Sequence, residues 1–292
     1  MSADNKQSPS WLESQLQATE RVMQSSVLPS GAKRLDELIT YHFEIGGART
    51  RATLALLSAR ALALPDSSCV ALATSCELIH NASLLHDDIQ DQDEQRRSRP
   101  AAWRRFDVNT AMCAGTLLLS AAYRILTTMP SCSAALITHT HQRTTNLIAG
   151  QVLDLTTATN TVDMNLYLEI ATGKSGSLLA LPLELALIAA GELASVPTAT
   201  SAGHAFACAY QIIDDVADLE TDLEQQRNNV VSVLMRTGIE REIATEMALE
   251  LAHENLEHAL KHALSLPANS GEPLVQLCDR VRLCAQTGRQ TA

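Results

Sequence analysis

Aromatic side chains are nearly missing from this sequence: two Trp, four Tyr and three Phe make up 3% of 292 residues, although 46% of the chain is hydrophobic. The core must therefore be aliphatic, built mainly from Ala and Leu, and such a composition favours helix. The scarcity of rings also leaves few platforms for stacked bases. Basic charge is short too, with 22 Lys and Arg against 33 Asp and Glu and a formal net charge of −11. Such a surface repels phosphate backbones, which argues against a nucleic-acid partner and leaves open a phosphate ligand bridged by a cation.

Paired cysteine motifs are missing as well. Seven cysteines, at 69, 76, 113, 132, 208, 278 and 284, form no CxxC pair and mostly sit in apolar helical patterns. This predicts a reducing, cytoplasmic setting. The first residues, MSADNKQSPSWLESQ, are polar and acidic where a signal peptide needs a basic start and an apolar run. The most apolar stretch, LLALPLELALIAA (178–190), contains Pro182 and Glu184 and by itself is too short for a bilayer. It reads as a core helix, and no transmembrane segment is expected.

Strand-like alternation is scarce, whereas apolar residues recur at three- and four-residue spacing between widely separated prolines. The pattern predicts helices near 10–27, 33–44, 48–64, 67–92, 107–128, 132–157, 163–175, 177–191, 199–221, 229–236, 239–264 and 272–286. No linker, charge block or internal repeat divides the chain. It reads as one all-helical domain over 1–292, with a flexible N-terminal segment 1–9 and C-terminal tail 288–292.

One stretch departs from this plain aliphatic text: LLHDDIQDQDEQRRSRP, residues 84–100. On a helix Asp87 and Asp91 share a face, with Asp88 beside them. Two carboxylates about 4 Å apart repel by roughly 4 kcal/mol at an effective dielectric near 20, so a cation is called for. All-oxygen ligation suggests magnesium, which keeps several waters and takes few carboxylates. A solvated acidic helix end is the plain alternative for one such motif. A second copy weakens that alternative, because AYQIIDDVADLETD repeats the pattern with Asp214, Asp215 and Asp218.

Basic residues accompany both acid clusters: Arg96, Arg97 and Arg99 follow the first, Arg227 follows the second, and Lys174 lies in ATGKSG. Carboxylates, magnesium and cations together suit a diphosphate, whose charge metals and basic side chains share. GKS is not a nucleotide-binding loop here, since that motif needs Gly where Leu168 stands.

The ordered set GGARTR (46–51), ELIHNASLLHDDIQD (77–91), Arg96–Arg97, GQVLDL (150–155), GKSG (173–176) and YQIIDDVAD (210–218) resembles the trans-prenyltransferases, the polyprenyl diphosphate synthases. The resemblance runs from about residue 45 to 235. It implies an all-α orthogonal helical bundle around a central apolar cavity, the isoprenoid synthase fold, and the partners of that family: an allylic diphosphate, isopentenyl diphosphate and a second copy of the chain. It also implies roles. Asp87 and Asp91 would hold two magnesium ions and Asp214 a third, with Asp88, Asp215 and Asp218 supporting the cluster. Arg96, Lys174 and Arg227 would grip the allylic diphosphate, and Arg51, His80 and Arg97 that of isopentenyl diphosphate. Ser175 and Gln211 would face the developing carbocation. Without the resemblance, His80 reads as a core histidine; His253, His258 and His262 read as members of a solvated face.

The sequence also departs from the family pattern. GGKxxR has Ala48 where Lys is usual, with Arg49 beside it as the compensating cation; RRG is RRS; a downstream Asp is Thr116; and DLEQQRNNVV (222–231) shortens the loop after the second acid motif and puts Arg227 at a Lys position. In the family the product tail grows beside the first acid helix. There Ala82, Ser83 and Ile79, with Cys76 and Ser75 below, offer no bulky ring, which predicts a product of C20 or longer with Tyr123 as a deeper stop. Two further readings accompany the elongating synthase: a prenyltransferase with another acceptor or irregular coupling, and a noncatalytic partner subunit, which retention of all six motif aspartates argues against.

Overall fold

Ser10 opens the first helix with a reciprocal cap. Its hydroxyl accepts from the Glu13 N–H at 3.3 Å, and the Glu13 carboxylate accepts from the Ser10 N–H at 2.6 Å. Two otherwise orphaned donors are thereby satisfied. From there the computed structural model, which describes residues 10–225 and 227–287, is almost wholly helical. Its helices are α1 (Trp11–Val27), α2 (Lys33–Glu44), α3 (Thr50–Ala61), α4 (Asp66–Gln90), α5 (Ala102–Arg105), α6 (Val108–Leu126), α7 (Ser133–Thr156), α8 (Met164–Ala171), α9 (Ser177–Ala190), α10 (Val196–Gln225), α11 (Val230–Met235), α12 (Arg241–Leu264) and α13 (Glu272–Thr287). The expected helices are all present, with ends displaced by about a turn at most. The segments 1–9 and 288–292, expected to be flexible, lie outside the described residues.

Besides the short helix α5, three local features were not foreseen. After α4 the chain makes a short antiparallel pair, β1 (Gln95–Arg96) with β2 (Arg99–Pro100), turning at Arg97 and Ser98 with φ of 50° and 62°. Positive φ at both central residues matches the tight hairpin turn that follows strand twist. Pro197 sits in the first turn of α10, where its missing N–H is no loss, so α10 begins earlier than expected. Between α8 and α9, Thr172–Gly176 forms one π-helical turn, with the Ser177 N–H reaching the Thr172 carbonyl. Such turns often mark functional positions.

Because the π turn joins rather than breaks its neighbours, Met164–Ala190 is one continuous apolar helix of 27 residues. By length and composition this longer helix passes the test for crossing a membrane, which residues 178–190 alone do not. In this fold 72% of its apolar window is buried among other helices. Every residue from Ser177 to Ile188 is buried. Leu181 and Leu185 join a cluster with Leu38, Leu72 and Leu118, while Leu183 and Leu187 join one with Phe206, Ile212 and Leu256. A helix apolar all round belongs between two packed faces, and each fully buried Leu contributes about 1.5–3 kcal/mol.

Glu184 interrupts that apolar helix and is wholly buried. Arg143 of α7 grips it with Nε at 2.8 Å and Nη2 at 2.5 Å, His139 Nε2 lies at 2.8 Å, and the Thr200 hydroxyl donates at 2.5 Å. Burial pushes the Glu184 carboxyl up, but the His139 bond, the Arg143 charge and the Thr200 bond together hold it below its ordinary value. This network ties α7, α9 and α10 together beneath the acid motifs. The six cysteines whose side chains are described are free.

Candidate active site

The two acid motifs meet at one mouth because short polar links draw the ends of α4, α7 and α10 together. Lys174, carried by the π turn, lies 3.0 Å from Asp154 of α7 and 3.8 Å from Asp91 of α4. Arg227, just beyond α10, pairs with Asp93 at 2.6 Å, and Asn228 donates to Asp154 at 3.1 Å. The lysine backbone is held close: a Cβ on Gly150 would lie 2.6 Å from the Lys174 nitrogen, so glycine is required where α7 crosses the turn. Burial opposes the Lys174 charge, and Asp154, Asp91 and Asp87 more than restore it, raising its pKa.

Within each motif the second acid is buried and engaged by protein. Asp88 receives Arg96 Nε at 2.8 and 3.0 Å on its two oxygens. Asp215 receives neutral donors instead: Tyr167 Oη at 2.8 Å, Gln211 Nε2 at 2.8 Å and the Val230 N–H at 2.8 Å. Asn229 fastens the same corner, donating to the Asp215 carbonyl at 2.6 Å and to Asp222 at 2.9 Å.

The outer acids are less well satisfied. Burial raises Asp87 to about 6, with Lys174 opposing and Asp91 adding to the shift. Burial also raises Asp214, and its charged neighbours Asp218 and Asp222 raise it further, with no cation opposing. Among the described residues no three acid or imidazole side chains converge tightly enough to hold an ion unaided. Paired carboxylates in excess over cations fit magnesium, which takes few protein ligands and keeps several waters.

About two turns before Asp87 on α4, a group of basic side chains surrounds His80. Arg97 packs on the GGART loop so closely that a Cβ on Gly47 would lie 2.6 Å from its Nη1. Arg51 has a buried Nε without a hydrogen-bond partner. Burial lowers the pKa of both Arg51 and Arg97, and Arg96 and Arg49 lower Arg97 further. His80 is pushed well below its usual value by burial and by Arg51, Arg96 and Arg97; His42 on α2 falls to about 4, chiefly by burial and Arg96. Neutral imidazoles among guanidiniums make a pocket that favours an anion. Arg49, the nominated substitute for a lysine at 48, is instead turned to Glu20 at 3.1 Å and Glu77 at 3.8 Å.

The sequence model for the family described as polyprenyl synthetase matches residues 32–260. The chain belongs to the polyprenyl synthetase family. Among curated members, it is 36% identical over 174 residues to a (2E,6E)-farnesyl diphosphate synthase of Mycobacterium tuberculosis, covering 58% of this chain and 48% of that one. It is 34% identical over 196 residues to an all-trans-nonaprenyl-diphosphate synthase (geranyl-diphosphate specific) of Rhodobacter capsulatus, covering 66% and 59%. The matches thus span about half the length of these curated relatives. The solved geranylgeranyl pyrophosphate synthetase of the archaeon Geoglobus acetivorans shares the fold, with a TM-score of 0.84 at 24% identity over 93% of this chain and 99% of that one.

In this chain the α4 face below Ser83 is shut. Ala82, Ile79, Cys76 and Ser75 are 2% exposed or less, and the Ser75 hydroxyl donates to the Ala122 carbonyl at 3.1 Å. Small side chains there let α6 pack closely, which is a different use from an open tunnel. Tyr123 is half-buried, its hydroxyl donating to Thr144 at 3.1 Å. Ser175 lies half-buried in the π turn beside Lys174.

Several residues of the site escaped the sequence reading. Asp154 stands within GQVLDL, a motif that was visible without a role. Asn229 caps α11, its side chain accepting from the Val231 N–H, and an Asn before an apolar run is a readable cap signal. Tyr167, Asp93 and Glu77 carried none, because their partners lie many residues away. Glu77, buried, accepts from the Ala52 N–H at 2.9 Å and so anchors the start of α3, where Arg51 stands.

Proposed function

We propose that this chain is a magnesium-dependent trans-prenyltransferase, one all-helical domain that condenses an allylic diphosphate with isopentenyl diphosphate. The observation that carries the reading is the pairing of an acid-rich mouth, short of cations, with a separate basic pocket beside α4. Asp87 and Asp91 from one side and Asp214 from the other would hold the magnesium, with Asp218 completing the outer acids. The bound metal supplies charge that stabilises the leaving diphosphate.

The chain's own residues do the rest. Lys174 presents its ammonium to the allylic diphosphate, and Arg96, braced on Asp88, and Arg227 add positive charge at the same mouth. Arg51 and Arg97 bind the acceptor diphosphate, with His80 beside them. As the allylic carbon–oxygen bond ionises, the isopentenyl double bond attacks the cation, and a proton passes to the released diphosphate. Ser175 and Gln211 line the region where the cation forms, and the aliphatic walls keep water from quenching it.

An exposed apolar stripe, Val108 and Met112 on α6 with Ile148, Val152 and Leu155 on α7, supports the reading of a homodimer. A product of C20 or longer requires α4 and α6 to part below Ser83 as the tail grows. A second reading, transfer to a different acceptor, draws support from Ala48 and from the engagement of Arg49 by Glu20 and Glu77.

One assay separates these readings: purified protein, magnesium, allylic diphosphates from C5 to C20 and labelled isopentenyl diphosphate, with products sized by mass. Incorporation supports elongation, and product mass gives chain length. Donor consumption without incorporation selects the second reading, and no consumption refutes both. Ala82→Phe or Ser83→Phe shortens the product if the tail follows this face; an unchanged product rejects that path.

A further inference from the structure

Gln151 is the buried amide that the fold leaves unanswered. It is 6% exposed, and neither its Nε2 nor its Oε1 has a hydrogen-bond partner. Buried amides elsewhere are engaged: Asn81 donates to the Glu77 carbonyl at 2.7 Å, and Asn229 makes the bonds described above. A side chain with two donor hydrogens and a two-lone-pair acceptor, held out of water with nothing to bond, opposes folding, and such a group calls for an explanation.

Its place on α7 supplies one. Helical spacing sets Gln151 on a stripe with Thr144, Leu147 and Asp154. Thr144 meets Tyr123 of α6, Leu147 packs on the cluster shared by α4 and α6, and Asp154 holds Lys174 at the mouth. Gln151 therefore looks inward, three residues or about 4.5 Å along the helix axis below Asp154. That is one step deeper than the diphosphate level, on the wall opposite the α4 acids. Gln211, the amide nominated from sequence, uses its N–H on Asp215 at 2.8 Å.

We propose that Gln151 is a catalytic residue for the reaction assigned above, its amide reserved for the allylic donor: the carbonyl dipole faces C1 as positive charge develops, and the N–H donates to the departing diphosphate oxygen. No bond to Gln151 forms or breaks; the electron pair of the C–O bond leaves with the diphosphate. The partners missing in the folded chain are those the ionising substrate brings, an arrangement aimed at the transition state.

The inference rests on the prenyltransferase reading, so its test uses donor with and without acceptor. Release of inorganic diphosphate from geranyl diphosphate alone, incorporation of isopentenyl diphosphate, and the urea unfolding midpoint are measured for the wild type and for Gln151→Leu. The expected result is an unfolding midpoint equal to or above wild type, with kcat for diphosphate release lowered at least tenfold and KM for both substrates changed less than about threefold; Gln151→Asn falls between. Equal release rates in wild type and Gln151→Leu overturn the proposal. So does a lowered unfolding midpoint with KM and kcat both degraded, since the amide then has a structural partner. Failure of incorporation while donor release still depends on Gln151 overturns the acceptor assignment alone, and a wild type that releases no diphosphate overturns both.

Discussion

The mouth and the Glu184 network both bury carboxylates among polar groups, yet their acids shift in opposite directions. At the mouth Asp87 and Asp214 rise, because burial outweighs the pull of Lys174 and Arg96 on the first and is reinforced by Asp218 and Asp222 on the second. Halfway down α9 Glu184 falls, because Arg143, His139 and Thr200 converge on it. Burial raises the cost of a charge in either place; what differs is whether the protein supplies the counter-charge itself. The Glu184 network is complete within the chain and braces three helices. The mouth is incomplete within the chain, which is the condition for a site that a cation and an anionic ligand finish.

The largest expected effect falls on the completed network. Glu184→Ala leaves Arg143 buried without its carboxylate and should lower unfolding free energy by about 3–5 kcal/mol in urea titrations, while kcat of the remaining folded protein stays near wild type. A loss below about 1 kcal/mol would break the comparison. Next comes Asp214→Asn, for which kcat should fall on the order of 10²–10³-fold. Its unfolding midpoint in metal-free buffer should hold or rise, since Asp218 and Asp222 only repel the carboxylate it replaces.

A smaller effect separates the two inner aspartates. Asp88→Asn removes the charge that Arg96 grips and should cost about 2–3 kcal/mol. Asp215→Asn keeps an acceptor for its neutral donors and should stay within about 1 kcal/mol. Equal costs would show that the two motifs are locked alike. The smallest effect is in pH dependence. Because the folded pKa of Glu184 lies below its ordinary value of 4.5, the stability it contributes is fully present above that value and lost as pH falls through the folded one. Glu184→Gln should therefore flatten the acid limb of the stability curve, and an unchanged slope would assign that limb to other carboxylates.

Helix positions and the family were legible in the sequence because both rest on local text: apolar spacing, caps and ordered motifs. The pairing of Asp87 with Asp91 on one face followed from helical geometry alone. The division of labour inside each motif did not, since Asp88 is answered by an arginine in a hairpin whose turn residues, Arg97 and Ser98, carry no Asn-Gly signature. Asp215 is answered by Tyr167, which nothing nearby in sequence announces. Small residues at Ala82, Cys76 and Ser75 read as open space, whereas tertiary packing used them for close approach of α6. Small side chains serve both purposes, and only the packing partner distinguishes them.

The π turn at Thr172–Gly176 sets the rotational phase of everything after it. An α-helix advances about 100° per residue, and the π turn takes up one residue more than an α turn would. Tightening the turn to α-helical geometry while keeping every residue would swing α9 by about 100° relative to α8. Tyr167 would keep its hold on Asp215, but Glu184 would turn away from Arg143 and toward apolar neighbours. One irregular turn thus lets a single continuous helix serve two unrelated polar clusters, each reading it at a different angle.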